Sequence, residues 1–131
     1  MKLSKFALYA VGLIVAIIAV AVVWFTTAKP RVDNAKMVAW ITAGYTEQFC
    51  KKIYPLFANC TTMSDAECTD VATQQIKACI EEKKEDIPSS ADQETAYKLY
   101  LSFADCFQSN MHSKILHSYA VDSDECKKIL Q

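Results

Sequence analysis

The sequence predicts an all-α protein in which one N-terminal transmembrane helix is followed by a small, disulfide-stapled antiparallel helical bundle. Three observations carry this prediction. Residues 6–25 form a run of twenty positions without a charged side chain, which is about the length needed to cross the hydrocarbon core of a bilayer. After residue 28 the apolar residues recur every three or four positions, and glycine and proline are scarce. All six cysteines lie in that second part of the chain.

The first segment, residues 1–28, is expected to be a signal-anchor that spans the membrane at residues 6–25. A cleaved signal peptide is the alternative, because it also begins with lysines and an apolar stretch. The apolar core of a signal peptide has about 7 to 15 residues, however, and this run is longer. Trp24 and Phe25 close it as interfacial aromatic residues do. We therefore expect the anchor to be retained in a single-pass inner-membrane protein.

Residues 29–131 are expected to fold in the periplasm or an equivalent oxidising compartment. An even number of cysteines in a small domain is typical of disulfide-bonded extracytoplasmic proteins. The charges that flank the span decide little, because Lys2 and Lys5 on one side are matched by Lys29 and Arg31 on the other. The cysteines therefore determine the predicted orientation.

The charge of the second segment argues against nucleic acid as a partner. Residues 29–131 contain 12 lysines and arginines against 15 acids, a net charge of −3. A surface that follows a phosphate backbone needs clustered lysine and arginine, whereas Arg31 is the only arginine in the chain. A protein partner is the expectation.

The first helix of the bundle is expected to begin after Asp33 or Asn34 and to end near Asn59, with Pro55 kinking or restarting it. Apolar side chains at helical spacing predict the face that packs on the core. They are Met37, Trp40, Ile41, Tyr45, Phe49 and Ile53.

The second helix is expected to open at Ser64, since Ser64 and Glu67 have the spacing of a capping box. Residues 81–86 form its charged, solvated end. The predicted inward face consists of Cys68, Val71, Ala72, Ile76, Cys79 and Ile80.

The third helix is expected to start at a capping box of Ser90 and Gln93 and to run to about Gln108. It is apolar on nearly every side, so it is either central to the bundle or exposes one side to a partner. A core role is the simpler interpretation. A break at residues 109–110, a short helix and a last turn from residues 122–125 complete the prediction.

Helix geometry ranks the fifteen pairings that six cysteines allow. If the first two helices fold back around residue 64, Cys60 faces Cys68 and Cys50 faces Cys79, because each pair is nearly equidistant from the turn. The same reasoning about residue 116 pairs Cys106 with Cys126.

This nested arrangement resembles the twin-cysteine helical hairpins of the mitochondrial intermembrane space, in which each helix carries Cys-x9-Cys. Here the spacing is x9 for Cys50 and Cys60 but x10 for Cys68 and Cys79, and Pro55 interrupts the first helix. The resemblance covers about thirty residues. It implies a shared geometry rather than membership of that family.

A catalytic, metal or cofactor site is not expected. The only histidines, His112 and His117, would project about 140° apart on a helix, which does not suit a pair of metal ligands. A cysteine committed to a disulfide is not a nucleophile. With one glycine after residue 28, a glycine-rich phosphate loop is hard to build. We expect the protein not to be an enzyme.

These observations predict a membrane-tethered protein-binding module, with Tyr97, Tyr100, Glu81 and Glu82 as its contact surface. The first hypothesis is an inhibitor or immunity-type protein that acts stoichiometrically in the periplasm. An accessory or assembly subunit of a membrane complex is the alternative, and a small enzyme is third. A binder should show an acidic or aromatic patch, whereas an enzyme should show a deep pocket with convergent polar groups.

Overall fold

The computed structural model describes residues 5–27 and 29–131, with side chains for residues 12–24 and 29–131. The chain forms two compact units, Met1–Arg31 and Val32–Gln131. Helix α1 (Lys5–Thr27) belongs to the first unit. Within the described residues, no helix has both the length and the apolar character that a membrane crossing requires. The predicted span at residues 6–25 includes side chains at 6–11 and 25 that lie outside the described ones.

The second unit is an all-α domain, as predicted. Between residues 32 and 131 it contains five α-helices. They are α2 (Asn34–Gln48), α3 (Asp65–Glu82), α4 (Gln93–Ser102), α5 (Ala104–Ser118) and α6 (Asp124–Leu130). Two three-residue strands, β1 (Arg31–Asp33) and β2 (Ser90–Asp92), pair directly before α2 and α4.

Local capping signals placed the start of α2 and of α3 correctly. The Asp33 carboxylate accepts a hydrogen bond from the Lys36 backbone N–H at 2.8 Å. Ser64 and Glu67 form the predicted capping box, in which the Ser64 N–H donates to Glu67 at 2.7 Å and the Glu67 N–H donates to Ser64 Oγ at 3.2 Å. All six residues predicted for the inward face of α3 are buried.

The predicted third helix was wrong at its start, its middle and its end. Ser90 belongs to β2, and Asp92 caps α4 by accepting from the Thr95 N–H at 2.8 Å. The helix is interrupted at Phe103, whose side chain is completely buried. Residues 109–110 then lie inside α5, because serine and asparagine without glycine or proline do not end a helix that packing holds.

The predicted first helix is also shorter than expected, because the chain changes helix type ahead of Pro55. Regular α-helix ends at Gln48, and residues 49–53 form a π-helical turn in which the Tyr54 N–H bonds to the Phe49 carbonyl. Single 3-10 turns follow at 54–56 and 58–60. Proline has no N–H for an α-helical bond and its ring clashes with the preceding turn, so the helix cannot pass through it.

Helices α2 and α3 pack antiparallel, as do α3 and α5. On the first pair, the hydroxyls of Thr46 and Thr73 lie 3.2 Å apart, and Cys50 bonds to Cys68 one turn further along. On the second, Cys79 bonds to Cys106. Helix α3 is therefore the central element, with α2 and α5 on either side of its buried stripe.

All six cysteines are oxidised, as predicted, but none of the three predicted pairings occurs. The prediction joined Cys50 with Cys79, Cys60 with Cys68, and Cys106 with Cys126. The bridges observed are Cys50 with Cys68, Cys60 with Cys126, and Cys79 with Cys106. Three disulfides indicate an oxidising, extracytoplasmic environment.

The pairing was wrong because the assumed turns lie elsewhere. The α2–α3 hairpin is centred near residue 59 rather than 64, since the irregular turns after Gln48 displace the register, and this brings Cys50 level with Cys68. Helix α5 runs straight through residue 116, so Cys106 and Cys126 cannot fold back on each other. Cys126 on α6 instead reaches the 3-10 turn that contains Cys60.

Candidate binding surface

An aromatic face is formed by three side chains from α2 and α4, namely Trp40, Tyr97 and Tyr100. The ring centroids of Trp40 and Tyr100 are 4.9 Å apart, and those of Tyr97 and Tyr100 are 6.5 Å apart in a stacked arrangement. Trp40 is 46% exposed and Tyr97 is 53% exposed. Both of the predicted contact tyrosines therefore belong to one surface.

The aromatic face is fixed from beneath by Tyr45. Its ring stacks on Tyr100 with centroids 4.6 Å apart, and its hydroxyl donates to the Tyr100 backbone carbonyl at 2.6 Å. Burial, followed by the neighbouring Tyr100 and Asp105, raises the pKa of Tyr45 to about 12. Tyr45 therefore stays protonated and keeps donating this hydrogen bond across the physiological range.

The predicted acids lie elsewhere on the domain. Glu81 and Glu82 are exposed at the end of α3, where Glu81 pairs with Lys84 at 2.6 Å. Glu82 has its carboxylate 3.9 Å from the sulfur of Cys106. In the described part of the chain, no hydrogen bond or ion pair joins either acid to the tyrosines. The predicted surface is thus divided into an aromatic face and a separate acidic helix end.

Trp40 was missed as a surface residue because it lies within the apolar stripe of α2. The stripe is correct for Met37, Ile41, Tyr45 and Phe49, which are buried, and wrong for Trp40 and Ile53, each about half exposed. The only glycine of the domain, Gly44, lies one turn after Trp40. A glycine within a helix often marks the close approach of another group, and this was the available signal.

The predicted third helix both packs in the core and exposes one side, the two roles between which the sequence did not decide. Ala96 and Phe103 are buried in the core, whereas Tyr97 and Leu101 are more than half exposed. The expectation of a mainly buried helix is therefore correct for one side only. The other side adds Tyr97 and Tyr100 to the aromatic face.

A cavity of about 610 Å³ lies beside Tyr45 and Tyr100, between α2, α5 and the end of α6. Phe49, Phe107, Met111 and Ile115 supply most of its buried wall. The polar residues that line it are exposed: Gln48, Gln108, His112 and Gln131. The polar groups are therefore at the rim rather than converging inside.

The two histidines do not form a site together. His112 lies at the cavity rim, whereas the Nδ1 atom of His117 is 2.7 Å from the Ser113 carbonyl oxygen on the same helix. Within the described residues, no group of three His, Cys, Asp or Glu side chains could hold a metal ion.

A scan against protein-family models, a search of curated proteins and a search of solved structures each found no match to this chain.

Proposed function

We propose that the protein is a membrane-tethered, extracytoplasmic protein-binding module that acts stoichiometrically through the aromatic face. The observation that carries this proposal is the exposure of Trp40 and Tyr97 next to a Tyr100 ring that is fixed by its neighbours. Tryptophan and tyrosine dominate the energetic centres of protein interfaces. Exposed rings that already contact each other lose little side-chain freedom when a partner covers them.

The disulfides support the same proposal. Each of them joins residues at least 18 positions apart, so the surfaces are held in place by covalent links between elements. A preorganised surface binds a partner without a large ordering penalty. This rigidity suits a periplasmic inhibitor or immunity-type protein, which has to neutralise its target without turnover.

The tether is part of the proposal and rests on the sequence of residues 6–25. Membrane attachment would raise the effective concentration of the module against targets that arrive at the same surface. Carbonate extraction of the full chain from host membranes, with protease accessibility of residues 32–131 in intact spheroplasts, tests this element. Release of the uncleaved chain by carbonate would contradict it.

The experiment for the binding function compares full-length variants in affinity purification from the native envelope, followed by titration with the purified partner. Trp40→Ala and Tyr97→Ala should each weaken binding by about thirtyfold or more, the loss typical of an interface hot spot. Leu56→Ala is the matched control, because Leu56 is 81% exposed and lies outside the aromatic face. The control should bind as the natural chain does, with one partner molecule per module.

The competing hypothesis of an enzyme has a separate test. If the partner-free chain turned over a substrate and lost that activity in His112→Ala, the binding-module proposal would be wrong. His117→Ala is the control for that experiment, since His117 does not line the cavity.

A further inference from the structure

The cavity between α2, α5 and α6 is open to solvent on one side, where the exposed side chains of Ile53, Leu116 and Ile129 line it. Its volume of about 610 Å³ falls within the range of sites that hold small organic ligands. Aromatic and aliphatic side chains form most of its buried wall.

The buried wall of the cavity offers a ligand no unpaired side-chain hydrogen-bonding atom. The Tyr45 hydroxyl, which borders it, already donates to the Tyr100 carbonyl at 2.6 Å. Across the described residues, no buried side-chain nitrogen or oxygen atom lacks a hydrogen-bond partner. A polar group brought inside would lose its hydration without a replacement. The part of a ligand that enters must therefore be hydrocarbon.

A basic cleft adjoins the mouth of the cavity. Gln48 and Tyr100 line both spaces. The cleft, of about 310 Å³, is also lined by Trp40, Gly44, Glu47, Lys51 and Lys52. Lys51 pairs with Glu47 at 2.7 Å, and Lys52 lies close enough to lower the pKa of the same carboxyl further. Two ammonium groups around one carboxylate leave a net charge of +1.

The start of α5 disfavours an anion. Asp105 is exposed there, next to the lining residue Ala104 in sequence, and its charge contributes to the raised pKa of Tyr45. An anionic group would therefore be repelled near Asp105 and attracted to the lysine cleft. Charge complementarity thus orients the ligand, so that its anionic end lies at the lysine cleft and its hydrocarbon lies in the cavity.

The disulfides explain how the cavity walls can stay apart. The α2 wall is tied to α3 through Cys50, the α5 wall is tied to α3 through Cys106, and the α6 wall is tied to the turn at residues 58–60 through Cys126. Each wall thus has one covalent attachment that does not depend on filling the space between them. The site is preorganised for a ligand.

We propose that this cavity binds the hydrocarbon chain of a single-chain amphiphile whose monoanionic headgroup lies in the cleft of Lys51 and Lys52. The headgroup cleft borders the aromatic face, because Trp40 and Tyr100 line it too, but the ligand is a different one from the protein partner proposed above. The proposal would hold even if the aromatic face had no protein partner.

The test uses the full chain in phosphatidylcholine nanodiscs that also contain a photoaffinity probe. The probe is hexadecanoate with a diazirine at the end of its hydrocarbon chain. After irradiation, peptide mapping should place the label on cavity residues of α5 and α6, such as Met111, Ile115 and Ile129. Unlabelled hexadecanoate should compete better than hexadecanol, by about threefold, the preference expected of one exposed charge interaction. Equal competition by hexadecanoate and hexadecanol would show that the site does not prefer an anionic headgroup.

Two pairs of variants make the result specific. Ala104→Trp should fill the mouth of the cavity and lower labelling by about tenfold or more, since it removes most of the apolar contact area. Ala78→Trp places the same side chain on an exposed position of α3 outside the cavity, and should leave labelling within about twofold. Lys52→Gln should abolish the preference for hexadecanoate over hexadecanol, and Lys77→Gln on α3 should retain it.

The opposite results would overturn the proposal. These are a label spread over the surface of the domain, or an equal loss of labelling in Ala104→Trp and Ala78→Trp. Displacement of the label by a purified protein partner, together with no displacement by hexadecanoate, would assign the cavity to a partner's apolar side chains instead. Circular dichroism and the intact disulfides of each variant establish that it has folded.

Discussion

Gly44 provides the space that the ring of Tyr100 occupies against α2. A Cβ atom at residue 44 would lie 2.8 Å from Cε2 of Tyr100 and 3.2 Å from its hydroxyl oxygen. Gly44 does not adopt a positive φ, so its role is to leave room rather than to permit an unusual backbone conformation. The single glycine of the domain therefore positions the central ring of the aromatic face.

Gly44→Ala should displace the Tyr100 ring from Trp40 while gaining about 1 kcal/mol of helix propensity. These effects oppose each other, so the free energy of unfolding should change little. In a Tyr100→Ala background the displacement disappears, and the same substitution should stabilise the domain by about 1 kcal/mol. Urea unfolding of the four proteins measures this coupling. An identical effect in both backgrounds would show that Tyr100 does not fill this space.

The capping box predicts a difference between two serines. Ser64→Ala should lower the free energy of unfolding by about 1 kcal/mol, because it removes the acceptor for the Glu67 N–H. Ser109→Ala, at an exposed position within α5, should instead raise it by a few tenths of a kcal/mol through helix propensity. Chemical denaturation checks both. A marked destabilisation in Ser109→Ala would argue that the chain does break at residues 109–110.

The elements that could be predicted from sequence are those specified by neighbouring residues. Ser64 and Glu67 define a helix start through two hydrogen bonds within four residues, and the buried stripe of α3 follows from its period. Burial of Met37 and Ile41 follows in the same way. Such signals do not require knowledge of what the helix packs against.

The remaining features depend on tertiary packing, which local sequence does not encode. Nothing local shows that the helix will stop at Phe103, since its side chain is fully buried by distant residues. The π-helical turn at residues 49–53 changes the register of the α2–α3 hairpin and so places Cys50 opposite Cys68 rather than Cys79. Likewise, Trp40 carries the pattern of a core residue but is 46% exposed, with its ring against that of Tyr100.

Tyr45 should make the domain less stable in alkali. The pKa of Tyr45 is about 12 in the folded domain and 10 as its ordinary value. Between these values the unfolded chain loses the proton first, so the stability that is present below pH 10 is lost as the pH rises toward 12. Tyr45→Phe should reduce this slope, leaving the part that comes from Tyr100, whose pKa burial also raises. It should also cost about 1 kcal/mol at neutral pH through loss of the hydrogen bond to Tyr100.

Tyrosinate absorbance at 295 nm measures the titration directly, and urea unfolding at several pH values measures its effect on stability. Tyr97→Phe is the control, because Tyr97 is more than half exposed. It should leave the late-titrating tyrosine in place. If the titration curve of Tyr45→Phe still contained the component near pH 12, that pKa would not belong to Tyr45.

The three disulfides should differ in their contribution according to the length of chain that each closes. Cys60 and Cys126 are 66 residues apart, whereas Cys50 and Cys68 are 18 apart. In the chain-entropy model, replacing the first pair by alanine should lower the free energy of unfolding by about 4 kcal/mol, and replacing the second by about 3 kcal/mol. Under the nested pairing, each of these double replacements would remove one cysteine from two different bridges and leave two free thiols. Under the observed pairing it leaves none. Thiol counting on the folded variants therefore separates the two connectivities.

Loss of the bridge between Cys60 and Cys126 should also have a local effect. The chain up to residue 121 keeps two backbone hydrogen bonds, from the Thr62 N–H to the Tyr119 carbonyl at 2.8 Å and from the Val121 N–H to the Cys60 carbonyl at 2.9 Å. Helix α6 keeps mainly the burial of Leu130. Hydrogen exchange should therefore show lost protection at residues 124–130 while α3 stays protected. Because Ile129 and Leu130 form one wall of the cavity, the same variant should bind the amphiphile more weakly. Uniform loss of protection across α3 and α6 would instead mean that this bridge supports the whole bundle.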